Sequence, residues 1–395
     1  MKKTLLTICL VWMCFSLSAQ KIIDLSGKWS FSIDRQDNGE KEKWFSHTLN
    51  DFINLPGSMP EKLKGDEVTA KTQWTGSLYD SSYYYNPYME KYRKEGNIKF
   101  PFFLTPDKHY VGAAWYQKEV NIPADWKGER ILLFLERPHI ETTVWVNGQK
   151  TGMQNSLCVP HQYDITRYVR PGKCTITIRV DNRIKEINVG PDSHSITDQT
   201  QGNWNGIVGR ICLQTTPKTY FDDIQIYPEP EQKLARVKVV IKGTGTAKVK
   251  LSAESFNTDK KHIVPAIQQE IKLNKGVTET EMVLPMGNDM LLWDEFHPAL
   301  YKLKAEVTNG KKTEIKEIQF GMRRFEIKGK WFYVNGRKTQ LRGTVENCDF
   351  PLTGYAPMDV ESWERVFRIC RSYGLNHMRF HSFCPPEALS LIHIS

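Results

Sequence analysis

The sequence predicts a mainly β chain of several domains that turns to an alternating β/α pattern near its C-terminal end. Short runs with apolar residues at every second position recur from Ile22 to Phe320, separated by Gly, Pro and Asn-Gly signals. They fall into two groups, one reaching about Thr216 and one from about Lys218 to Gln319, each large enough for a β-sandwich of its own. The stretch Leu341 to Phe380 breaks this pattern. It reads as strand, polar loop, helix, glycine and second strand, a βαβ unit that favours a parallel sheet.

Composition is compatible with that reading. A chain of 395 residues fits two or three domains. Hydrophobic content of 40% and charged content of 25% exclude a disordered or fibrous chain. Lys2 and Lys3 precede an apolar run from Leu5 to Leu17 that ends in Ser18-Ala19-Gln20, which reads as a secretory signal over residues 1–19. The run is too short to span a bilayer, and no later stretch is apolar enough to do so. The mature chain is therefore expected to be exported, periplasmic or secreted, with no membrane span. Net charge is +9, but the basic residues are interleaved with acidic ones, as from Glu40 to Lys43, and form no dense patch for nucleic acid. Beyond the signal, Cys158, Cys174, Cys212, Cys348, Cys370 and Cys384 are scattered without a CxxC pair, so no zinc site is expected. Buried thiols or one or two disulfides are both compatible with that spacing. His109, His161 and His194 lack metal-ligand spacing and are read as structural.

Residues 20–217 are read as the first sandwich. Trp29 to Ile33, Ala114 to Val120, Arg130 to Glu136, Thr142 to Val146, Lys173 to Val180 and Gly206 to Leu213 give its regular strands, and Asn147-Gly148 marks a hairpin. Residues 70 to 108 lack periodicity and carry Tyr83, Tyr84, Tyr85 and Tyr88, either a binding loop or interdomain packing. Residues 218–322 are read as an immunoglobulin-like sandwich. Its strands are Phe221 to Tyr227, Ala235 to Ile241, Ala247 to Ala253, Thr278 to Leu284, Tyr301 to Val307 and Thr313 to Phe320.

Residues 323–395 start the β/α region. Asn335-Gly336 turns a hairpin that leads to Leu341-Arg342-Gly343. Asp359 caps a helix with apolar residues at Val360, Trp363, Val366, Phe367 and Cys370, and Gly374 ends it. In a parallel barrel, chemistry gathers at the C-terminal ends of strands, where Asn347, Asp349, Arg379 and His381 fall.

Several motifs, in order, resemble glycoside hydrolase family 2, which includes β-galactosidases, β-glucuronidases and β-mannosidases. They are Trp145-Val146-Asn147-Gly148, then Trp204-Asn205-Gly206-Ile207 with Arg210, then Trp293 with Pro298-Ala299-Leu300-Tyr301. Phe320-Gly321-Met322-Arg323 with Leu341-Arg342-Gly343 follows, and then Asn376 with Arg379. Two segments depart from the family pattern: Val345 to Asp349 keeps only Asp349 of the usual run, and His381 lies one residue early. The resemblance implies a jelly-roll-like sugar-binding sandwich, an immunoglobulin-like sandwich and a (β/α)8 barrel. It also implies cleavage of β-linked glycosides by retaining double displacement, with no cofactor or metal.

That chemistry needs two carboxylates about 5–5.5 Å apart. By resemblance both are glutamates on later barrel strands, and only about 70 residues run from Phe325 to Ser395. Eight β/α units take about 250. The acid/base and nucleophile are thus expected beyond Ser395, in a chain that is a fragment of the whole enzyme. Among residues present, Asp349, Arg379, His381 and Asn347 are candidates for substrate binding, and Trp204 and Asn205 for the mouth of the site, with Asp198 beside them. Trp204 either stacks on sugar or plugs the sandwich–barrel interface. Glu346 and Asp349, close together in one loop, are read as turn-forming rather than as an acid/base pair. A second reading is a non-catalytic carbohydrate-binding module of two β-sandwiches; the βαβ unit argues against it.

Overall fold

The computed structural model describes residues 20–69, 71–72, 75, 85–99, 104–185, 196–198, 201–381 and 383–390. The signal segment, Tyr83, Tyr84 and His194 lie outside the described residues.

The first sandwich places two antiparallel sheets over one core. One sheet runs in the order Gln149–Asn155, Glu141–Val146, Gly172–Asp181, Ala113–Ile122, Gly27–Asp34 and Asp51–Leu55. The other runs Ile22–Asp24, Gly206–Thr216, Arg130–His139 and His161–Asp164, with Gly57–Ser58 added beside Gly206–Thr216. The alternating apolar positions of the sequence supply the core, including Trp29, Phe31, Tyr116, Leu133, Val144, Ile176, Ile178, Ile211 and Leu213. Asn147 at φ 50° and Gly148 at φ 77° form the expected hairpin, whose left-handed pair matches the twist of the strands. The strand Glu141–Val146 is buried on both faces rather than one. Its outer face carries Trp145, which stacks on Trp115 and Phe45 under the connection between Gly27–Asp34 and Asp51–Leu55.

The second sandwich differs from its expected strand list. Ala235–Ile241 and Ala247–Ala253 are halves of one strand, Leu234–Ser255, and Thr278–Leu284 is the end of another, Ile263–Pro285. These two pair along nearly their whole length, with a register shift between Gly243 and Gly245. A Cβ at Gly243 would lie 2.5 Å from Thr219 Oγ1, so the chain passes too close there for a larger residue. The first half of Leu234–Ser255 pairs with Tyr220–Glu229 and the second half with Tyr301–Asn309, so one long strand changes neighbours along its length within a single five-stranded sheet. The half-strand from Ile263 was invisible to periodicity because Gln268, Gln269, Glu270 and Lys272 dominate it and Pro265 interrupts it.

Beyond Met322 the chain makes a three-stranded antiparallel sheet from Phe325–Lys328, Trp331–Val334 and Arg337–Thr339, turned at Asn335 and Gly336. Gly343–Glu346 then pairs with His377–Phe380 in parallel, the two joined by the helix Val360–Ser372. Asp359 caps that helix, its carboxylate accepting from the Ser362 amide at 2.8 Å. At its other end Gly374, at φ 74°, lets the Gly374 amide reach Arg371 O and the Leu375 amide reach Cys370 O, a Schellman closure. Trp363, 1% exposed, stacks on Phe367 of the same helix and anchors the helix edge-on against Phe380 of the strand. One parallel strand pair and its crossover helix are what the described residues show of a β/α architecture; no closed barrel is formed among them. No helix among the described residues is long and apolar enough to cross a membrane.

Candidate active-site wall

The C-terminal ends of the two parallel strands lie side by side, as the pairing of Glu346 with Phe380 requires. One residue further along, the His381 amide donates to Glu346 O at 2.8 Å, and His381 Nδ1 sits 3.3 Å from Asn347 Oδ1. The structure therefore brings two sequence candidates, Asn347 and His381, into contact. Arg379 lies on the same strand with its side chain exposed, and among the described residues it has no ion-pair partner. Glu346 is turned to its own loop, where its carboxylate accepts from the Cys348 amide at 2.9 Å.

Asp349 takes a different place. It lines a cavity of about 940 Å³ between the edge of the first sandwich and the loop 349–359, together with Glu136, Arg210, Phe350, Tyr355 and Met358. Neither Asn347 nor His381 lines that cavity. A second cavity, about 980 Å³, lies at the opposite ends of the parallel strands and is lined by Trp293, Arg342 and Asn376. Arg342 donates to Gly374 O at 2.8 Å, and the Asn376 amide donates to Glu295 at 2.5 Å. In β/α architectures that end of the strands serves stability. The motif residues Arg342 and Asn376 thus dock the βαβ unit on the second sandwich.

The two tryptophan-loop candidates separate. Trp204 is 7% exposed, stacks on His139 at 4.5 Å and tilts against Tyr355 at 5.5 Å, which makes it the plug between the sandwich and the β/α region. Asn205 is fully buried in the sandwich. Its amide donates to Gly112 O and Val180 O, and its carbonyl accepts from Tyr116 Oη at 2.8 Å. Both of its donors and its carbonyl are engaged in holding strands together, and at 0% exposure it presents no group to a sugar. Asp198 is likewise buried, accepting from the Thr75 amide and facing His109 Nε2 at 3.3 Å. His161 is buried beneath Thr142, with Nδ1 2.6 Å from its hydroxyl. Tyr85 and Tyr88 are each 83% exposed. The six cysteines among the described residues are unpaired, and burial pushes the Cys348 thiol well above its ordinary value. Among the described residues no cluster of His, Cys, Asp or Glu has the arrangement of a metal site.

The sequence reading missed the residues by which the sandwich grips both strand-end loops. Arg137 donates to Cys384 O at 2.5 Å and to Pro385 O at 3.1 Å, and Arg210 pairs with both Glu136 and Glu387. Ser58 donates to Thr353 O, and Tyr355 donates to Glu61 at 2.9 Å. Gln201 reaches both Asn347 and His381. Apart from Arg210 and Glu136, both in the sandwich, these partners lie about 150 to 300 residues apart in sequence, and no local pattern announces them.

Comparison with known proteins agrees with the architecture. Residues 22–217 match the family model "Glycosyl hydrolases family 2, sugar binding domain", and residues 219–323 match "Glycosyl hydrolases family 2". The chain is 24% identical over 355 residues to a β-glucuronidase of Paenibacillus borealis, covering 85% of this chain and 51% of that protein. It is 24% identical over 314 residues to a β-galactosidase of Thermoanaerobacter pseudethanolicus, covering 75% of this chain and 39% of that one. A solved β-glucuronidase of an uncultured Clostridium species superposes with a TM-score of 0.67 at 20% identity, over 95% of this chain and 57% of that chain. The chain thus spans about half the length, or less, of these relatives. On the two adjoining family matches, which together take in about three quarters of its length, the chain belongs to glycoside hydrolase family 2.

Proposed function

We propose that this chain forms the substrate-shaping half of an exported β-glycosidase that acts by retaining double displacement. The carboxylates that perform the reaction would be carried by polypeptide beyond Ser395. The observation that supports this most is the uncovered face of the parallel pair. Gly343, Val345, His377 and Arg379 are all exposed on one face, with Val345 at 52%, while Phe380 packs against the helix. A two-stranded parallel sheet covered on one side only is not a finished unit, because parallel sheets are buried on both faces. Closing the pair into a ring of β/α units would bury Val345 and turn Arg379 inward, next to Asn347 and His381.

In that arrangement Arg379 supplies a fixed positive charge beside the reacting carboxylates. Asn347 and His381 supply hydrogen-bond groups for sugar hydroxyls. One glutamate, kept protonated, gives its proton to the leaving oxygen while the other attacks the anomeric carbon, and water then releases the sugar with its configuration retained. Glucuronides and galactosides, after the names of the relatives, are the first substrates to try.

The test is to express the reading frame continued past Ser395 and follow a set of 4-nitrophenyl β-glycosides by NMR. The expected first product is the β-anomer, and Arg379→Gln should lower kcat/KM by at least about 100-fold with the melting temperature unchanged. Release of the α-anomer first, or an Arg379→Gln enzyme within twofold of the parent, would refute the mechanism.

A further inference from the structure

Gln201 belongs to the first sandwich, yet its side chain ends on the β/α region. It is 7% exposed, and its single amide nitrogen donates to Asn347 O at 2.8 Å and to His381 O at 2.9 Å. Those two carbonyls are not arbitrary. Asn347 and His381 are the residues that follow the last registered pair, Glu346 and Phe380, so they stand level at the ends of neighbouring parallel strands. Both N–H bonds of one amide are thereby spent on two carbonyls at the end of the parallel ladder. The same two residues make the side-chain contact between His381 Nδ1 and Asn347 Oδ1 at 3.3 Å.

We infer that Gln201 is a positioning residue: it fixes the spacing of the two strand ends and thereby sets the Asn347–His381 pair that faces substrate. The sandwich is then part of the active-site geometry rather than a neighbour of it. The neighbouring contacts act in the same direction. Arg137 holds the carbonyls of Cys384 and Pro385, and Arg210 holds Glu387, so the segment after His381 is tied to the sandwich at three points. Gly202 at φ 69° and buried Trp204 hold the loop that presents Gln201. The role as a positioning residue for catalysis rests on the function proposed above, but the clamp itself does not.

The experiment uses this chain with Gln201→Met, which keeps the length of the side chain and removes both donors. Two amides report on the two ends of the parallel pair: His381, bonded to Glu346 O beside the clamp, and Asn376, bonded to Arg342 O at the far end. Hydrogen exchange at the His381 amide should accelerate at least tenfold while that at Asn376 stays within twofold. The His381 ring nitrogen resonances should shift as the contact with Asn347 is lost. Equal acceleration at both ends would mean a general loss of stability, and no change at His381 would mean no clamp; either overturns the inference. Should Gln201→Met fail to fold, Gln201→Asn, polar but one methylene short of both carbonyls, gives the same readout. A clamp confirmed in this way alongside absent glycoside hydrolysis by the continued chain would leave the positioning intact and remove the proposed reaction.

Discussion

His139 shows how far one residue's neighbours decide its chemistry. Burial holds its imidazole pKa down to about 3, against its bond with Asn203, while Trp204 covers its ring. His161, also buried, is held down to about 4. The unfolded chain takes up these protons near pH 6.5, so between that value and pH 4 the unfolded state binds more protons than the folded one. Stability is present in full above about pH 6.5 and falls as pH drops, by about 1.4 kcal/mol per pH unit for each of the two groups. Urea unfolding between pH 6 and 4 should show this slope, and His139→Phe should make it shallower by about one proton. An unchanged slope in that variant would mean that His139 titrates normally. The sequence marked His161 as structural for want of ligand spacing. It gave no hint of His139, whose role depends on Trp204 and Asn203, more than 60 residues away.

At the level of elements, the helix Val360–Ser372 was legible because its signals are local. Asp359, the three- and four-residue apolar spacing and Gly374 each act within one or two turns, and each has the expected conformation. Thirteen residues are marginal as a free helix, so most of its stability comes from packing. Trp363→Ala should cost about 3–5 kcal/mol in the unfolding of the β/α region. Asp359→Ala should cost about 1 kcal/mol through the lost cap. Denaturant melts followed by helix circular dichroism check both, and a Trp363→Ala cost below that of Asp359→Ala would contradict the packing argument. The long hairpin of the second sandwich was less legible. Periodicity marks where a strand is half-buried, and Leu234–Ser255 shifts register and changes neighbour near Gly243 while Ile263–Pro285 begins with a largely exposed stretch. Two strands therefore read as three short ones with a gap.

Across the whole molecule, the sequence disclosed the order of parts better than the contacts between them. Both sandwiches, the parallel pair and the hairpins at Asn147-Gly148 and Asn335-Gly336 follow from alternation and turn chemistry. The site was legible only in outline. Asn347 and His381 do meet at adjoining strand ends, whereas Asp349 faces a cavity against the sandwich and Asn205 is consumed inside it. Such outcomes depend on where a side chain finds a partner after the parts dock, and that information is spread over hundreds of residues. The docking itself is built from charges and amides of the sandwich, Arg137, Gln201 and Arg210, aimed at backbone carbonyls and Glu387 of the β/α region. Neutral carbonyl partners leave no pattern in sequence, which is why the grip of one domain on the other became visible only in three dimensions.

The most direct test of the division of labour compares residues 20–395 with the same reading frame continued past Ser395. Each is assayed on 4-nitrophenyl β-glycosides, with and without Glu346→Gln. Residues 20–395 should release no nitrophenol, and the continued chain should turn over. Turnover by residues 20–395 that Glu346→Gln abolishes would place the reacting carboxylate inside this chain and contradict the proposal.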